Sequence, residues 1–191
     1  MNELWIIRHA ETEWSASGRH TSRTDVALTD AGRVAAAELA PALARHAFGL
    51  VLTSPMTRAR DTAAAAGFAE AVVDDDLHEW DYGDLEGLTT AQIRARGGEF
   101  ANWTIWHGPV PGGETIAEVA ARADGVLERV AATAGDVLCF GHGHMTRVLA
   151  AVALELGPSA GARLALDPAR ISVVGSEHEV RALRVWNAVA Q

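Results

Sequence analysis

Short runs of apolar residues alternate along this chain with longer, alanine-rich stretches. The apolar runs predict buried strands at residues 4–7, 50–53, 71–73 and 137–140. Strands that alternate with helices are typical of a mainly parallel sheet that has helices on both faces. Two further apolar runs, 171–174 and 180–185, are separated by a Gly-Ser-Glu-His turn and predict an antiparallel hairpin at the edge of the sheet.

The stretches between the strands predict five helices. A helix opens at Thr29 or Asp30, either of which can cap its free amides. Its buried side is predicted to carry Val34, Ala37, Leu39 and Leu43. The other predicted helices span residues 56–66, 89–95, 114–132 and 146–156, with Pro55 suited to the first turn of the helix at 56–66. Residues 102–113, which include Trp103 and Trp106, are predicted to form an ordered loop.

Composition and charge narrow the class of protein. A chain of 191 residues that is 49% hydrophobic is long enough for one good core, so we expect one domain over residues 1–191. The net charge of −9 argues against general binding to nucleic acid or to an acidic membrane. No apolar run reaches the ~18–20 residues of a membrane span, and the N-terminus lacks the basic start of a signal peptide. We therefore expect a soluble cytoplasmic protein, with a homodimer as the default assembly.

Histidines follow two of the predicted strands. Arg8-His9 ends the first apolar run, and Gly141-His142-Gly143-His144 ends the run at 137–140. In parallel sheets, ligands bind beyond the carboxyl ends of the strands, so these histidines and Ser54 are predicted to share one edge. Arginine beside them indicates a site for an anion.

The residue types fit the transfer of a phosphoryl group. Arg8 and Arg58 can each donate two hydrogen bonds to phosphoryl oxygens. His9 is the predicted nucleophile, and His142 is the predicted charged partner of a phosphoryl oxygen. A leaving alkoxide needs a proton, for which Glu79 is the candidate donor.

Two other chemistries are weaker alternatives. His9, Glu79, His142 and His144 have a spacing that a metal site permits, but no cysteine contributes, there is no H-E-x-x-H pattern and nearby arginines would repel a cation. A Ser-His-Asp hydrolase is less favoured, because the chain has no G-x-S-x-G turn.

Taken in order, the motifs resemble the histidine phosphatase superfamily, which is also called phosphoglycerate-mutase-like. Arg8-His9-Ala10-Glu11-Thr12 is similar to its R-H-G-E-T signature, with alanine where glycine is commoner. The segment 54–63 is similar to its S-P-x-x-R-A-x-x-T-A pattern, and 77–87 is similar to its acid-bearing loop. Pro111-Gly112-Gly113-Glu114-Thr115 and Gly141-His142-Gly143 complete a resemblance that covers nearly the whole chain.

The resemblance implies a three-layer α/β/α sandwich whose mostly parallel sheet has an antiparallel edge. It implies His9 as the phosphorylated nucleophile, a phosphate pocket of Arg8, Arg58 and His142, and Glu79 as proton donor. The family needs no metal, and we expect no cofactor. Seven further positions are expected to contact phosphate or substrate: Ser15, Thr21, Ser54, Tyr82, His144, Arg147 and His178. The last four are suggested by a bacterial branch of acid phosphatases and sugar bisphosphatases.

Three functions fit such a pocket. We expect a phosphomonoester hydrolase that acts on small phosphorylated metabolites such as sugar phosphates. The first alternative is a cofactor-dependent phosphoglycerate mutase, which needs a closed and strongly basic pocket to exclude water. This chain is short and acidic, with only 16 lysines and arginines, so the mutase is less favoured. The alternative of another class is a non-catalytic protein that binds a phospholigand.

Overall fold

Six strands form one sheet in the computed structural model, which describes residues 2–190. In chain order they are β1 (Leu4–Arg8), β2 (Phe48–Thr53), β3 (Val72–Val73), β4 (Asp136–Gly141), β5 (Ile171–Glu177) and β6 (Val180–Ala188). Their order across the sheet is β3-β2-β4-β1-β5-β6. The first four strands in this order pair in parallel, whereas β5 pairs antiparallel with both β1 and β6. The predicted mostly parallel sheet with an antiparallel edge is confirmed.

Seven α-helices join these strands. They are α1 (Glu13–Ala16), α2 (Asp30–Glu38), α3 (Ala40–Leu43), α4 (Thr57–Ala65), α5 (Thr90–Arg94), α6 (Ile116–Ala132) and α7 (Gly143–Ala153). The caps agree with the sequence, because the Thr29 side chain accepts a hydrogen bond from Gly32 N and Thr115 forms a capping box with Glu118. Pro55 lies immediately before the N-cap Met56, so it is outside α4 rather than in its first turn.

Side chains on the two faces of the sheet form two hydrophobic cores. Ile6 and Cys139 point to the side covered by α6, α7 and the loop that carries Trp103. Ile7 and Phe140 point to the opposite side, which α2, α3 and α4 cover. These two covered faces give the predicted three layers.

Two details of the predicted helices are wrong. The helix after β4 begins at Gly143, one turn earlier than residue 146, because His142 is its N-cap. The buried side of α2 is formed by Gly32 and Ala36, while Val34 is 61% exposed and Ala37 is exposed as well. Leu39 and Leu43, which follow α2, are buried as predicted. Gly32 sits against the backbone of Glu11, where an added Cβ would lie 2.2 Å from the carbonyl oxygen. Close backbone approach, rather than apolar side-chain size, therefore selects the buried face of α2.

The direction of β5 decides which residues reach the carboxyl edge of the parallel strands. Ile7 pairs with Ile171 and Leu4 pairs with Val174, so β5 starts at that edge and runs away from it. The turn between β5 and β6, which holds His178, therefore lies at the opposite edge of the sheet. His178 is exposed there with a φ of 54°.

Candidate active site

The carboxyl ends of β1, β2 and β4 bring three predicted residues together. His9 N donates to Gly141 O at 2.8 Å, and Ser54 N donates to Phe140 O at 2.9 Å. The ring centroids of His9 and His142 lie 5.2 Å apart. All three side chains are buried, as the strand-end motifs predict.

His9 is held as a neutral imidazole. Its Nδ1 lies 2.7 Å from Ala10 O, and because a carbonyl oxygen only accepts, Nδ1 carries the proton. Burial, with the charges of Arg8 and Arg58, holds the pKa of His9 well below its usual value of 6.5. The lone pair is then on Nε2, which has no hydrogen-bond partner among residues 2–190. His9 lines a cavity, so this nitrogen has the form a nucleophile needs.

The two arginines of the site differ in what they already bind. Arg8 donates through Nη1 to Leu166 O at 2.6 Å, while its buried Nε has no partner among the described residues. Arg58 is fully buried and donates to the carbonyls of Thr21, Ser22 and Thr24 at 2.9 to 3.3 Å. Burial lowers the pKa of both guanidinium groups, yet arginine stays protonated at any working pH. Arg8 therefore has a free donor for an anion, whereas Arg58 fixes the loop between α1 and α2.

The ring of His142 is bonded at both nitrogens. Arg58 Nε donates to its Nδ1 at 3.2 Å, so Nε2 carries the proton that bonds Ser54 Oγ at 2.7 Å. Burial and the charge of Arg58 hold the pKa of His142 well below its usual value. His142 is thus neutral here, in contrast to the charged partner that the sequence predicts. Ser54 is fully buried and contacts His142 rather than the cavity, so it supports the ring rather than lining the substrate space.

The carboxylate of Glu79 borders the same small space as the guanidinium of Arg8. The backbone amides of Trp80 and Met145 donate to its Oε1 at 2.9 and 2.7 Å, and the amide of His144 lies 3.0 Å from Oε2. Two of these amides belong to the first turn of α7. A Cβ added at Gly143 would lie 3.4 Å from Arg8 Nε and 3.6 Å from Glu79 Oε2, so both atoms border one small space. The free side of Oε2 therefore faces the same space as the unpartnered donor of Arg8.

A cavity of about 170 Å³ is lined by Arg8, His9 and Glu79. The buried Arg58, His142 and Ser54 do not line it. Five of the seven positions expected to contact phosphate or substrate line it: Ser15, Thr21, Tyr82, His144 and Arg147. Sequence reasoning missed Arg19, His20 and Leu166, which also line the cavity. His20 lies in the chain between Ser15 and Thr21, two residues that the resemblance indicates. Its place between two predicted substrate contacts was the feature of the sequence that could have indicated a role for His20 in the cavity.

The far wall of the cavity is aromatic and polar. The hydroxyl of Tyr82 shares a 2.6 Å hydrogen bond with Nδ1 of His144. Burial raises the pKa of Tyr82 well above 10.0, and burial with the charge of Arg147 lowers that of His144 well below 6.5, so both are neutral. Arg147 lies over the ring of Trp106 at 4.8 Å, which fixes its guanidinium at the cavity wall. The ring of His20 packs against that of Tyr82, with 4.9 Å between the ring centroids.

The site does not gather every predicted residue. His178 is absent from it because the antiparallel β5 carries the hairpin turn to the other edge of the sheet. The metal alternative also loses support, since no three of His9, Glu79, His142 and His144 have ligand atoms within 4.8 Å of one another.

Comparison with known proteins settles the family. The family model of the histidine phosphatase superfamily, branch 1, matches residues 4–189. The chain belongs to the histidine phosphatase superfamily. The resemblance of its motifs to that family is therefore confirmed, and the chain is a phosphoric monoester hydrolase by family.

Several relatives carry names that state an activity. An acid phosphatase of Mycobacterium tuberculosis is 41% identical, in an alignment that covers 96% of this chain and 91% of that one. The sedoheptulose 1,7-bisphosphatase of Saccharomyces cerevisiae is 33% identical over 80% of this chain and 67% of its own length. A solved structure from Mycobacterium tuberculosis has a TM-score of 0.91 and 39% identity, and covers 100% of this chain and 99% of that one. That similarity in structure confirms the phosphoglycerate-mutase-like fold. Over residues 2–190, no helix combines the length and the apolar character that a membrane crossing demands.

Proposed function

We propose that this protein hydrolyses small phosphomonoesters through a covalent phosphohistidine at His9. One observation carries the proposal: His9 is neutral, its Nδ1–H is bonded to Ala10 O, and its Nε2 is free at a cavity lined by Arg8. A nitrogen with a lone pair beside an unpartnered guanidinium donor suits attack on phosphorus.

The reaction then has two halves. In the first, Nε2 of His9 bonds to phosphorus, the ester P–O bond breaks, and the leaving oxygen takes a proton from Oε2 of Glu79. In the second, water attacks phosphorus and gives a proton to Glu79, the P–N bond breaks, and inorganic phosphate leaves. Arg8 and Arg58 balance the charge on the phosphoryl oxygens in both halves.

We further propose sugar phosphates as the substrate class. The names of the two curated relatives, an acid phosphatase and a sedoheptulose bisphosphatase, support it. The far wall supports it too, because Tyr82, His144 and Arg147 present hydrogen-bonding groups and not a purely apolar surface. A sugar phosphate carries several hydroxyl groups on a short carbon chain, and these can form hydrogen bonds with such a wall.

The test is phosphate release together with trapping of the phosphoenzyme. The wild-type protein should hydrolyse p-nitrophenyl phosphate at mildly acidic pH. When it is denatured during turnover of a ³²P-labelled ester, the protein should retain an acid-labile ³²P label. His9→Asn should abolish both. His178→Asn is the matched control, because it removes an imidazole at the opposite edge where Asn accepts a positive φ. Full activity in His9→Asn would overturn the proposal.

The two alternatives give different results. A mutase would isomerise phosphoglycerate with 2,3-bisphosphoglycerate present and release almost no phosphate. A non-catalytic binder would release none from any member of a panel of cellular phosphomonoesters. The cytoplasmic location, the homodimer and the lack of nucleic-acid binding stay predictions from sequence, which fractionation, light scattering and a binding assay would test.

A further inference from the structure

Thr62 is a fully buried residue on α4, one helical turn after Arg58. Its hydroxyl makes two hydrogen bonds. It donates to Arg58 O at 2.7 Å, and it accepts from the backbone amide of Ala10 at 3.0 Å. A threonine that bonds only to the carbonyl four residues earlier is ordinary in a helix, but a second bond to another segment is not part of that pattern.

That second bond holds the backbone next to the nucleophile. On one side, His9 N donates to Gly141 O at 2.8 Å, which fixes His9 to β4. On the other side, the next amide, that of Ala10, is fixed to α4 through Thr62. The carbonyl of Ala10 in turn receives Nδ1–H of His9 at 2.7 Å. The direction of the imidazole ring thus depends on a residue whose amide Thr62 holds.

The same hydroxyl also bonds to the backbone of the helix that carries Arg58. It is bonded to the carbonyl of Arg58, whose guanidinium reaches His142. One oxygen atom therefore joins the segment that carries His9 to the helix that carries Arg58, the arginine bonded to His142.

We propose that Thr62 is a positioning residue that sets the angle and proton position of the His9 ring. The inference rests on the proposed phosphohistidine chemistry. Without the hydroxyl, the buried amide of Ala10 has no partner, so the backbone of Ala10 shifts to find one and the Ala10 carbonyl, in the next peptide group, moves away from Nδ1. The ring then samples the tautomer that places the proton on Nε2, where it blocks attack. Groups that orient a reacting residue in this way commonly change rates by about 10- to 100-fold.

The experiment compares Thr62→Val, Thr62→Ala and Thr62→Ser by single-turnover phosphorylation with a ³²P-labelled ester. Thr62→Val keeps the shape and loses the hydroxyl, so the rate of phosphoenzyme formation per folded molecule should fall by about 10- to 100-fold while KM changes little. Thr62→Ser should restore most of the rate, and Thr62→Ala should not. If Thr62→Val does not fold, the Ser and Ala variants alone isolate the hydroxyl.

Thr133→Val is the matched control. Thr133 Oγ1 also donates to the carbonyl four residues earlier, Arg129 O, at 2.7 Å, but it lies just before β4 at the edge remote from the site. This variant should phosphorylate at the wild-type rate. Nitrogen-15 NMR of the His9 ring should show one tautomer in wild type and two in Thr62→Val.

The outcomes separate this inference from the function on which it depends. A wild type that forms no phosphoenzyme overturns both. A wild type that forms it, with Thr62→Val equally fast or with Thr62→Ser as slow as Thr62→Ala, overturns only the role of Thr62. A fall shared by Thr62→Val and Thr133→Val means a general loss of helix packing, and it also overturns the positioning role.

Discussion

Glu79→Gln should remove the proposed proton donor of this site while keeping the hydrogen bonds that hold the side chain in place. The substitution keeps the size of the side chain and replaces one oxygen by an amide nitrogen. Oε1 receives the amides of Trp80 and Met145, whereas Oε2 receives only that of His144 and borders the space beside Arg8. A glutamine can therefore place its oxygen at the Oε1 position, where the amide of His144 also lies within 3.2 Å. The fold should survive, and only the ability to give a proton should be lost.

The size of the effect depends on the leaving group. A lost general acid slows reactions by about 10²- to 10⁴-fold when the leaving oxygen needs its proton. Alkyl phosphates, including sugar phosphates, release strongly basic alkoxides and should show that full loss. p-Nitrophenol leaves readily as an anion, so its ester should lose less than about tenfold of its rate.

The assay is kcat/KM for a series of phosphomonoesters in wild type and Glu79→Gln, with the melting temperature as a check on folding. The logarithm of the rate should fall more steeply with leaving-group basicity in the variant. An equal slowing across the series would refute the role of Glu79 as proton donor. It would leave His9 as nucleophile untouched, since that role is tested by the trapped phosphoenzyme.

Three further perturbations test other parts of the site. Arg8→Lys should lower kcat/KM by about 10- to 100-fold, because a single ammonium cannot bond Leu166 O and also present a fork to phosphate; equal activity would contradict this. Gly32→Ala should cost about 1–3 kcal/mol of unfolding free energy in denaturant titration, and should slow catalysis, because its Cβ would displace the backbone of Glu11 two residues from the nucleophile. The unfolding free energy should also fall as pH drops below about 6.5, by about 1.4 kcal/mol per unit for each imidazole buried neutral. The unfolded chain takes up protons there and the folded chain does not, so His144→Gln should flatten the slope, and an unchanged slope would count against this assignment.

The strand-end rule accounts for what the sequence could predict of the site. His9, Ser54 and His142 each follow a strand of a parallel sheet, and such strands end at one edge. Their meeting therefore needed only the strand order, not the details of packing. His178 shows the limit of the same reasoning, because a hairpin whose first strand is antiparallel to β1 places its turn at the other edge.

Glu79 lies outside that rule. It sits in a segment without regular strands, and its position is set by amides at the start of α7. The predicted helix starts at residue 146, which places Gly143 and His144 in a loop. The sequence prediction therefore did not provide helix N-terminal amides to hold Glu79. The residue type and the resemblance both indicate Glu79 as the acid, but its position depends on a helix start that the sequence pattern does not predict. The same holds for α2, where a 2.2 Å approach to a carbonyl selects Gly32 over Val34 for the buried face.

The neutral state of His142 shows how the site can receive a dianion. Both ring nitrogens are occupied, Nδ1 by the donor of Arg58 and Nε2 by Ser54. A phosphoryl oxygen is a stronger acceptor for Arg58 Nε than a neutral ring nitrogen, so a bound phosphate competes for that hydrogen bond. Once released, Nδ1 can take a proton, and the adjacent anion then favours the imidazolium, which opposes the burial that disfavours it in the free protein. We therefore expect the ring of His142 to be neutral in the free protein, and to gain a proton only when a bound phosphoryl group competes for Arg58 Nε.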